Sequence, residues 1–296
     1  MIRCLIVAGG SYVGRYIVRT LSEAGFRVDF TYRTRSPAIS MLENLSGVRS
    51  FQRDFSLPIS LEGEYDVIIN SCGAYSAGSF EDDQLVMPNV NSAIAILELA
   101  RRSLATRLIL NFSSLSVYGW PLPGLVTPAT RAAPTDTYGT TKLLSEQLLV
   151  LACETAAVVN LRFPVVLGKN AHRAFLPTVL NRLLSNESIT MSNCDERYFA
   201  CTSLRAVANL TIGLMRNPPA PGTVCSPPLA CHPDLTIREA VEFMKERVSS
   251  SSELVEKKST SPSTMIDCAE AIALGYAPPI LSACLADWLK DEGFVE

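Results

Sequence analysis

Short apolar runs alternate with longer amphipathic stretches through the first half of the chain. The apolar runs predict strands at residues 2–8, 27–32, 65–71, 107–112 and 156–163. The stretches between them predict helices at residues 14–24, 36–45, 89–102 and 137–153. Runs such as LIV and DVII are apolar at every position, as expected when helices cover both faces of a parallel sheet. The pattern therefore predicts an α/β fold built on a doubly wound parallel sheet.

The second half of the chain is richer in turn-forming residues and predicts a separate, smaller lobe. We expect the larger domain to span residues 1–163, with a returning piece near 201–224. The smaller α/β lobe is then discontinuous and comprises residues 164–200 and 225–296. A serine-rich stretch at 249–263 is expected to form a polar surface loop.

Composition narrows the classes of function. The chain has 296 residues, of which 48% are hydrophobic and 19% charged, so we expect a globular protein. A formal net charge of -3 shows no basic excess, and nucleic acid is not an expected partner. The nine cysteines form no CxxC pair and the two histidines, His172 and His232, lie far apart, which disfavours a metal site. The apolar start is too short for a signal peptide or a membrane span, so we expect a cytoplasmic protein without a membrane partner.

A glycine-rich turn joins the first predicted strand to the first predicted helix. In the sequence GGSYVG, Gly9 and Gly14 fit the outer positions of G-x-G-x-x-G, and Ser11 occupies the middle one. Such a turn in a Rossmann fold lets the backbone approach a pyrophosphate, which then sits on the helix N-terminus. We therefore predict a dinucleotide site that includes Tyr12 and Val13, although an ordinary strand-to-helix turn explains the same pattern. The Cβ of Ser11 restricts positive φ, which weakens the match.

The end of the second strand separates the two nicotinamide cofactors. An acidic residue there binds the ribose 2′-OH of NAD, whereas an arginine accommodates the 2′-phosphate of NADP. Here Tyr32 ends the strand, Arg33 and Arg35 follow it, and Asp29 lies about three residues too early. The pattern favours NADP(H) over NAD(H), with two solvated loop arginines as the alternative.

A serine and a tyrosine–lysine pair form the predicted chemical centre. Ser114 follows the strand predicted at 107–112, while Tyr138 and Lys142 are four residues apart and share one helical face. Hydride transfer to a carbonyl leaves negative charge on oxygen, so it needs a proton donor and hydrogen-bond donors at that oxygen. A lysine ammonium lowers the pKa of a nearby tyrosine and prepares it for this role. The tyrosine–lysine spacing alone is common by chance on surface helices.

Taken together, two segments resemble a known family. SSLSVYG at 113–119 and YGTTKLLSE at 138–146 resemble the catalytic segments of extended short-chain dehydrogenases/reductases of the NAD-dependent epimerase/dehydratase type. That group includes nucleotide-sugar epimerases, dehydratases and reductases. The resemblance extends from the glycine turn to Tyr276 and implies an NAD(P)-dependent oxidoreductase.

The resemblance also implies roles for single residues. Ser114 matches the catalytic serine or threonine that holds the substrate oxygen, and Tyr138 matches the general acid/base. Lys142 matches the lysine that also binds the nicotinamide ribose. Asp54 matches an acid that contacts adenine, and Asn89 a helix residue that supports the cofactor site.

The smaller lobe carries fewer diagnostic residues. Arg197 resembles the arginine that binds the diphosphate of a sugar nucleotide, but the aspartate expected soon after it is absent. Val165 stands where many relatives place an asparagine that touches the same diphosphate. Residues 168–173 and 175–184 are expected to form the cleft wall. We expect a small-molecule substrate, namely a nucleotide sugar. We leave open a homodimer, since relatives commonly pair through two helices per subunit, which here are those predicted to begin at Asn89 and Thr137.

The residues beside Ser114 separate the reactions of the family. Dehydratases carry an Asp-Glu pair directly after the catalytic threonine, whereas Leu115 and Ser116 cannot titrate, so dehydration is disfavoured. Because Tyr32 stands where 4-epimerases place an aspartate, we predict NADPH-dependent reduction of a nucleotide-activated 4-keto-6-deoxy sugar. An NAD-dependent nucleotide-sugar 4-epimerase is the alternative, and a non-catalytic NADP(H)-binding regulator is a second one.

Overall fold

The computed structural model describes residues 1–74, 82–103, 105–172, 174–259 and 264–294. Its helices are α1 Tyr12–Glu23, α2 Pro37–Glu43, α3 Asp82–Arg102, α4 Thr137–Val150, α5 Phe175–Leu184, α6 Leu204–Arg216, α7 Ile237–Arg247, α8 Ala269–Ala273 and α9 Leu281–Asp291. Its strands are β1 Arg3–Val7, β2 Arg27–Tyr32, β3 Val48–Gln52, β4 Val67–Asn70, β5 Leu108–Ser114, β6 Leu125–Val126, β7 Ala157–Phe163, β8 Val165–Leu167, β9 Ile189–Met191, β10 Cys201–Ser203, β11 Val224–Cys225, β12 Leu254–Glu256 and β13 Met265–Ile266.

Seven of the described strands form one parallel sheet in the order β11-β7-β5-β4-β1-β2-β3. Successive residues of β1 face opposite sides of it. Cys4 and Ile6 pack with α1, α2 and α6, whereas Leu5 and Val7 pack with α3 and α4. Helices thus cover both faces, which explains the continuous apolar runs and confirms the doubly wound parallel sheet.

The order of the strands reverses between β1 and β4. The chain proceeds from β1 to β2 and β3 in one direction, and from β4 to β5, β7 and β11 in the other. A crevice forms beyond the carboxyl ends of the strands at such a reversal, and ligands of open α/β sheets bind there.

In the large sheet and its helices, the prediction missed β3 and misplaced the start of α3. Strand β3 was not predicted because most of its side chains are exposed, so it lacks an apolar run. Helix α3 begins at Asp82, seven residues before the predicted start at Asn89. The prediction began the helix after Pro88, which lacks an N–H, yet the helix continues through this proline.

A second hydrophobic core lies outside the large sheet. It includes Leu167 at the end of β8, Leu180 on α5, Met244 on α7 and Trp288 on α9. Strand β11 returns to the large sheet, where Val224 pairs with Val158. The domain boundaries given above stay a prediction.

In the part of the chain that the structure describes, no helix has the length and apolar character that crossing a membrane requires. The cytoplasmic location stays a prediction.

Candidate active site

A cleft of about 580 Å³ opens at the carboxyl ends of β1, β4 and β5, where the strand order reverses. It brings together residues predicted separately for the cofactor and for catalysis: Ser11, Tyr12, Val13, Ser114, Tyr138 and Lys142. Its lining is partly aromatic, with Trp120, Phe175 and Tyr198. Lys142 and His172 are the basic side chains among the described residues that line it.

The glycine turn packs α1 closely against β1 and β2. A Cβ on Gly9 would lie 2.7 Å from the Cβ of Phe30, and one on Gly14 would lie 2.8 Å from the carbonyl oxygen of Ala8. Ser11 has a φ of −68°, so its side chain costs no backbone strain, and its hydroxyl caps α1 by accepting from the Gly14 N–H at 3.1 Å. The left-handed conformation falls instead on Ala8, with a φ of 55°.

The first turn of α1 fits the pyrophosphate of a dinucleotide. The N–H groups of Tyr12 and Val13 have no acceptor within the helix, and both residues line the cleft. The Tyr12 hydroxyl donates to the carbonyl oxygens of Val166 and Gly168, at 3.3 and 3.0 Å, and burial raises its pKa. Tyr12 therefore offers its backbone to the cleft while its side chain ties α1 to the segment after β7.

The loop after β4, residues 71–74, contributes to the lining of the cleft and is held at several points. The Ser71 hydroxyl is 2.8 Å from that of Ser11. Asn89 accepts from the Ala74 N–H at 2.9 Å and donates to the Ala74 carbonyl at 3.1 Å. Its amide also donates to the Thr141 hydroxyl at 3.0 Å. Asn89 thus joins this loop to α4 from a buried position, and its direct contact with a cofactor stays a prediction.

Lys142 is buried at the base of the cleft. Its Nζ donates to the carbonyl oxygen of Cys72 at 2.8 Å. Burial lowers the pKa of the ammonium to about 8, against the smaller opposing effects of Cys72 and Glu146. The side chain therefore loses its charge as the pH rises through about 8.

Tyr138 lines the same cleft from the first turn of α4. Asp136 caps this helix, accepting from the Gly139 N–H at 2.6 Å. A Cβ on Gly139 would overlap the carbonyl oxygen of Ser116, so the glycine lets α4 approach the turn that follows β5. The Tyr138 hydroxyl lies 3.8 Å from the position that a Cβ on Gly73 would take.

Ser114 caps the 3₁₀ turn Leu115–Tyr118 and lies in a chain of polar contacts. Its hydroxyl oxygen accepts from the Ser116 N–H at 3.1 Å, and its hydroxyl donates to that of Ser116 at 3.1 Å. The Trp120 indole N–H donates to the same Ser116 oxygen at 3.3 Å. The position next to Ser114 that is acidic in dehydratases is filled by Leu115, which is buried.

Sequence reasoning gave no role to a buried ion pair behind the catalytic residues. Arg162 donates through Nη2 to Glu146 at 2.7 Å and through Nη1 to the Tyr118 hydroxyl at 2.9 Å. The Ser113 hydroxyl donates to the same carboxylate. The pair holds α4 against β5 and β7, the elements that carry the site. Glu146 belongs to the segment YGTTKLLSE, but nothing in the sequence shows that it meets Arg162.

A set of buried amides was also missed, namely Asn70, Asn111 and Asn160. A signal for them exists in the sequence. Each asparagine follows an apolar run in a strand of the sheet, in VIIN, LILN and VVN. Polar residues at matching depths in neighbouring strands indicate a contact across the sheet.

The residues predicted to distinguish NADP(H) from NAD(H) differ in how far they are engaged by neighbouring side chains. Arg35 is engaged by Glu43 through two hydrogen bonds, at 2.6 and 3.2 Å, and by the Tyr32 hydroxyl at 3.2 Å. Arg33 is exposed just beyond β2. Asp54 is exposed as well, and the Ser56 N–H donates to it at 3.0 Å and lowers its pKa. Arg33 thus remains the better candidate for a phosphate contact.

The structure does not bring Arg197 to the cleft. Its guanidinium donates to the Asp234 carbonyl and lies 3.8 Å from Glu239, at the start of α7. Of the segments expected to form the cleft wall, His172 and Phe175 line the cleft. Arg173 lies outside the described residues. Residues 260–263 of the predicted polar loop also lie outside them.

Comparison with known sequences identifies one family model and two curated relatives. The model of the NAD dependent epimerase/dehydratase family matches residues 5–203. UDP-glucose 4-epimerase 2 of Arabidopsis thaliana is 26% identical over 159 residues, which cover 49% of this chain and 45% of that protein. UDP-glucose 4-epimerase 1 of Oryza sativa subsp. japonica is 26% identical over 164 residues, covering 50% and 46%. The chain thus spans about half the length of the curated relatives it matches.

Solved structures share the fold over almost the whole chain. UDP-glucuronic acid 4-epimerase from Bacillus cereus, in complex with NAD, superposes with a TM-score of 0.80 at 18% identity, covering 98% of both chains. The enzyme WbmG from Bordetella bronchiseptica, in complex with NAD and UDP, gives 0.79 at 16% identity, covering 99% of this chain and 96% of that one. Identities at this level show the fold alone.

Proposed function

Because the chain belongs to the NAD dependent epimerase/dehydratase family, we propose that this enzyme is a nucleotide-sugar 4-epimerase acting through a transient 4-keto sugar. The observation that carries the proposal is the meeting of Ser114, Tyr138 and Lys142 in one cleft with the first turn of α1. The names of the curated relatives support this reading, which the sequence put second to ketone reduction.

The reaction assigns a task to each side chain. A bound nicotinamide dinucleotide would supply the hydride acceptor, with Ser11, Tyr12 and Val13 around its pyrophosphate. Tyr138 would take the proton from the C4 hydroxyl and return it after the ketone has turned its other face. Lys142, when charged, would favour the phenolate of Tyr138, and Ser114 would hold the O4 oxygen.

The neighbours of Ser114 support an epimerase over a dehydratase. Elimination of water needs extra acid and base groups, and Leu115 and Ser116 supply neither. A 4-epimerase needs only the Tyr138–Lys142 pair and a serine, since the hydride returns to C4 and the proton returns to the O4 oxygen.

NADPH-dependent ketone reduction is the second candidate, and one observation favours it. Arg33 is exposed beyond the end of β2, and Tyr32 fills the place of the acid expected for NAD. NADP(H) as the preferred cofactor is therefore part of this second candidate, while NAD belongs to the first.

The two candidates differ in cofactor consumption. We expect the purified protein to interconvert UDP-hexoses or UDP-hexuronic acids without added cofactor, because the hydride leaves and returns within one cycle. The measurement is product formation by NMR together with cofactor absorbance, and it includes NADPH with nucleotide 4-keto-6-deoxy sugars. Stoichiometric loss of NADPH matched by an alcohol product would select the reductase instead.

A further inference from the structure

A row of buried amides crosses the centre of the sheet beneath the cleft. Asn70, Asn111 and Asn160 are paired in register on β4, β5 and β7. The Asn70 amide donates to Asn111 at 3.0 Å, and the Asn111 amide donates to Asn160 at 2.9 Å. The row ends where the Asn160 amide donates to the Ser226 hydroxyl at 3.0 Å. All three asparagines are at most 1% exposed.

One backbone group sets the direction of every amide in this row. The Cys72 N–H donates to Asn70 at 3.2 Å, and a backbone N–H can only donate. Asn70 must therefore turn its oxygen toward Cys72 and its nitrogen toward Asn111. The same reasoning then orients Asn111 and Asn160, so the row is polarised from end to end.

The near end of the row lies on the peptide that holds Lys142. The carbonyl oxygen of Cys72 accepts from the Lys142 ammonium at 2.8 Å, and the N–H of the same residue is held by Asn70. Asn70 also donates to the hydroxyl of Ser145, one turn after Lys142 on α4. Asn70 thus contacts both the Cys72 peptide, whose carbonyl accepts from Lys142, and α4, the helix that carries Lys142.

We propose that Asn70, Asn111 and Asn160 are positioning residues that fix the Cys72 peptide, so that its carbonyl holds the Lys142 ammonium in the cleft. Apolar side chains would fill this sheet without any need for partners, whereas three buried amides must all be satisfied. The proposal rests on the proposed function only in that it takes Lys142 to serve the cofactor and Tyr138.

The pH dependence of NADH binding reports on this arrangement. The titratable groups around Lys142 are Cys72 on the loop, Glu146 on α4, and Tyr138 one turn earlier on the same helix. Burial lowers the pKa of Lys142 to about 8, so NADH affinity should fall as the pH rises through that value. If Asn70 no longer holds the Cys72 peptide, the Cys72 carbonyl stabilises the Lys142 ammonium less, and the pKa of Lys142 is lower still. The pH midpoint of the fall in NADH affinity should then move to lower pH.

The experiment titrates NADH by fluorescence between pH 6.5 and 9.5 on the full chain. We expect Asn70→Leu to weaken NADH binding about tenfold at pH 7.5 and to lower the midpoint by roughly half a pH unit or more. Asn111→Ser, which is too short to bridge its neighbours, should do the same to a smaller degree. Asn160→Ser, at the far end, should have the smallest effect. The Asn111 variant carries the test if Asn70→Leu does not fold.

Thr202→Val is the matched control. Thr202 is also fully buried in a strand, and its replacement by valine removes one hydrogen bond, to the Tyr276 hydroxyl at 2.7 Å. Thr202 lies outside the row of amides. It should lower the unfolding midpoint without moving the pH midpoint. An unchanged pH midpoint in the Asn70 and Asn111 variants, or an equal shift in Thr202→Val, would overturn the proposal. Absence of sugar turnover in the wild type would defeat the proposed epimerase but leave this binding test intact.

Discussion

At the scale of single residues, Tyr138 and Lys142 have the least interchangeable roles in the cleft. Lys142 is buried and held by a backbone carbonyl, while Tyr138 is set by a capped helix start and the close approach at Gly139. A change at Tyr138 should therefore affect proton transfer and little else.

We predict that Tyr138→Phe lowers turnover of the sugar substrate by a factor of about one hundred or more while NADH affinity stays near normal. The reason is that general acid–base catalysis typically supplies about 10²–10⁴-fold. Tyr198→Phe is a control, since Tyr198 lines the same cleft but donates its hydroxyl to the Ala200 carbonyl. Steady-state kinetics with a separate NADH titration measures both, and a Tyr138→Phe enzyme that keeps most of its turnover would contradict the assignment.

A second residue-scale prediction separates Arg33 from Arg35. We expect Arg33→Ala to weaken NADPH binding about tenfold and to leave NADH binding unchanged, because a charge-assisted contact to phosphate contributes about 1.5–3 kcal/mol. Arg35→Ala should not discriminate between the two cofactors, since Glu43 already engages that guanidinium. Calorimetric titration of both cofactors measures this, and equal losses for NADPH and NADH in Arg33→Ala would place the selection elsewhere.

At the scale of elements, the turn between β1 and α1 contains backbone strain at one residue. Ser11 satisfies the helix N-terminus without strain, but Ala8 is left with a positive φ that costs an L-residue about 1–2 kcal/mol. A glycine in place of Ala8 would adopt the same backbone conformation without this strain.

We therefore predict that Ala8→Gly stabilises the protein by up to about 1 kcal/mol, since relief of strain exceeds the added entropy of the unfolded chain. Ala286→Gly, the same substitution inside α9, should destabilise it by about 0.5–1 kcal/mol. Equilibrium urea unfolding measures both changes. A loss of stability in Ala8→Gly would show that the methyl group of Ala8 contributes more through packing than its strained backbone costs.

The elements were predictable from the sequence to different degrees, for physical reasons. Strand β2 was predicted at its observed bounds because it is buried between helices, whereas β3 was missed because it lies exposed at the edge of the sheet. Ser114, Tyr138 and Lys142 could be found because each sits at a fixed place in a motif. The pairing of Arg162 with Glu146 and the turning of Arg197 toward α7 depend on contacts between distant elements, which spacing does not report.

At the scale of the whole molecule, α3 and α4 lie side by side on one face of the sheet and expose apolar side chains. Ile94 and Leu144 are 38% and 39% exposed. A homodimer that pairs through these two helices, which the sequence left open, stays a prediction.

If the homodimer forms there, the combined change Ile94→Glu and Leu144→Glu should convert it to a monomer, because an isologous interface places both charges in the contact twice. Light scattering after size-exclusion chromatography measures the mass. A matched change outside α3 and α4, Met41→Glu and Ile280→Glu, replaces two exposed apolar residues and should leave the mass unaltered. A wild type that is monomeric at micromolar concentration would refute the expectation.

The amide row also bears on how the strands find one another during folding. Side chains alternate between the two faces of a strand, so a slip of one residue would move an asparagine to the opposite core and strip it of its partners. Apolar runs such as VIIN and LILN offer little else to distinguish one register from the next. The register of β4, β5 and β7 is therefore specified by Asn70, Asn111 and Asn160. Without these asparagines, several alignments of the three strands would have nearly the same free energy, because their apolar pairings are nearly equivalent.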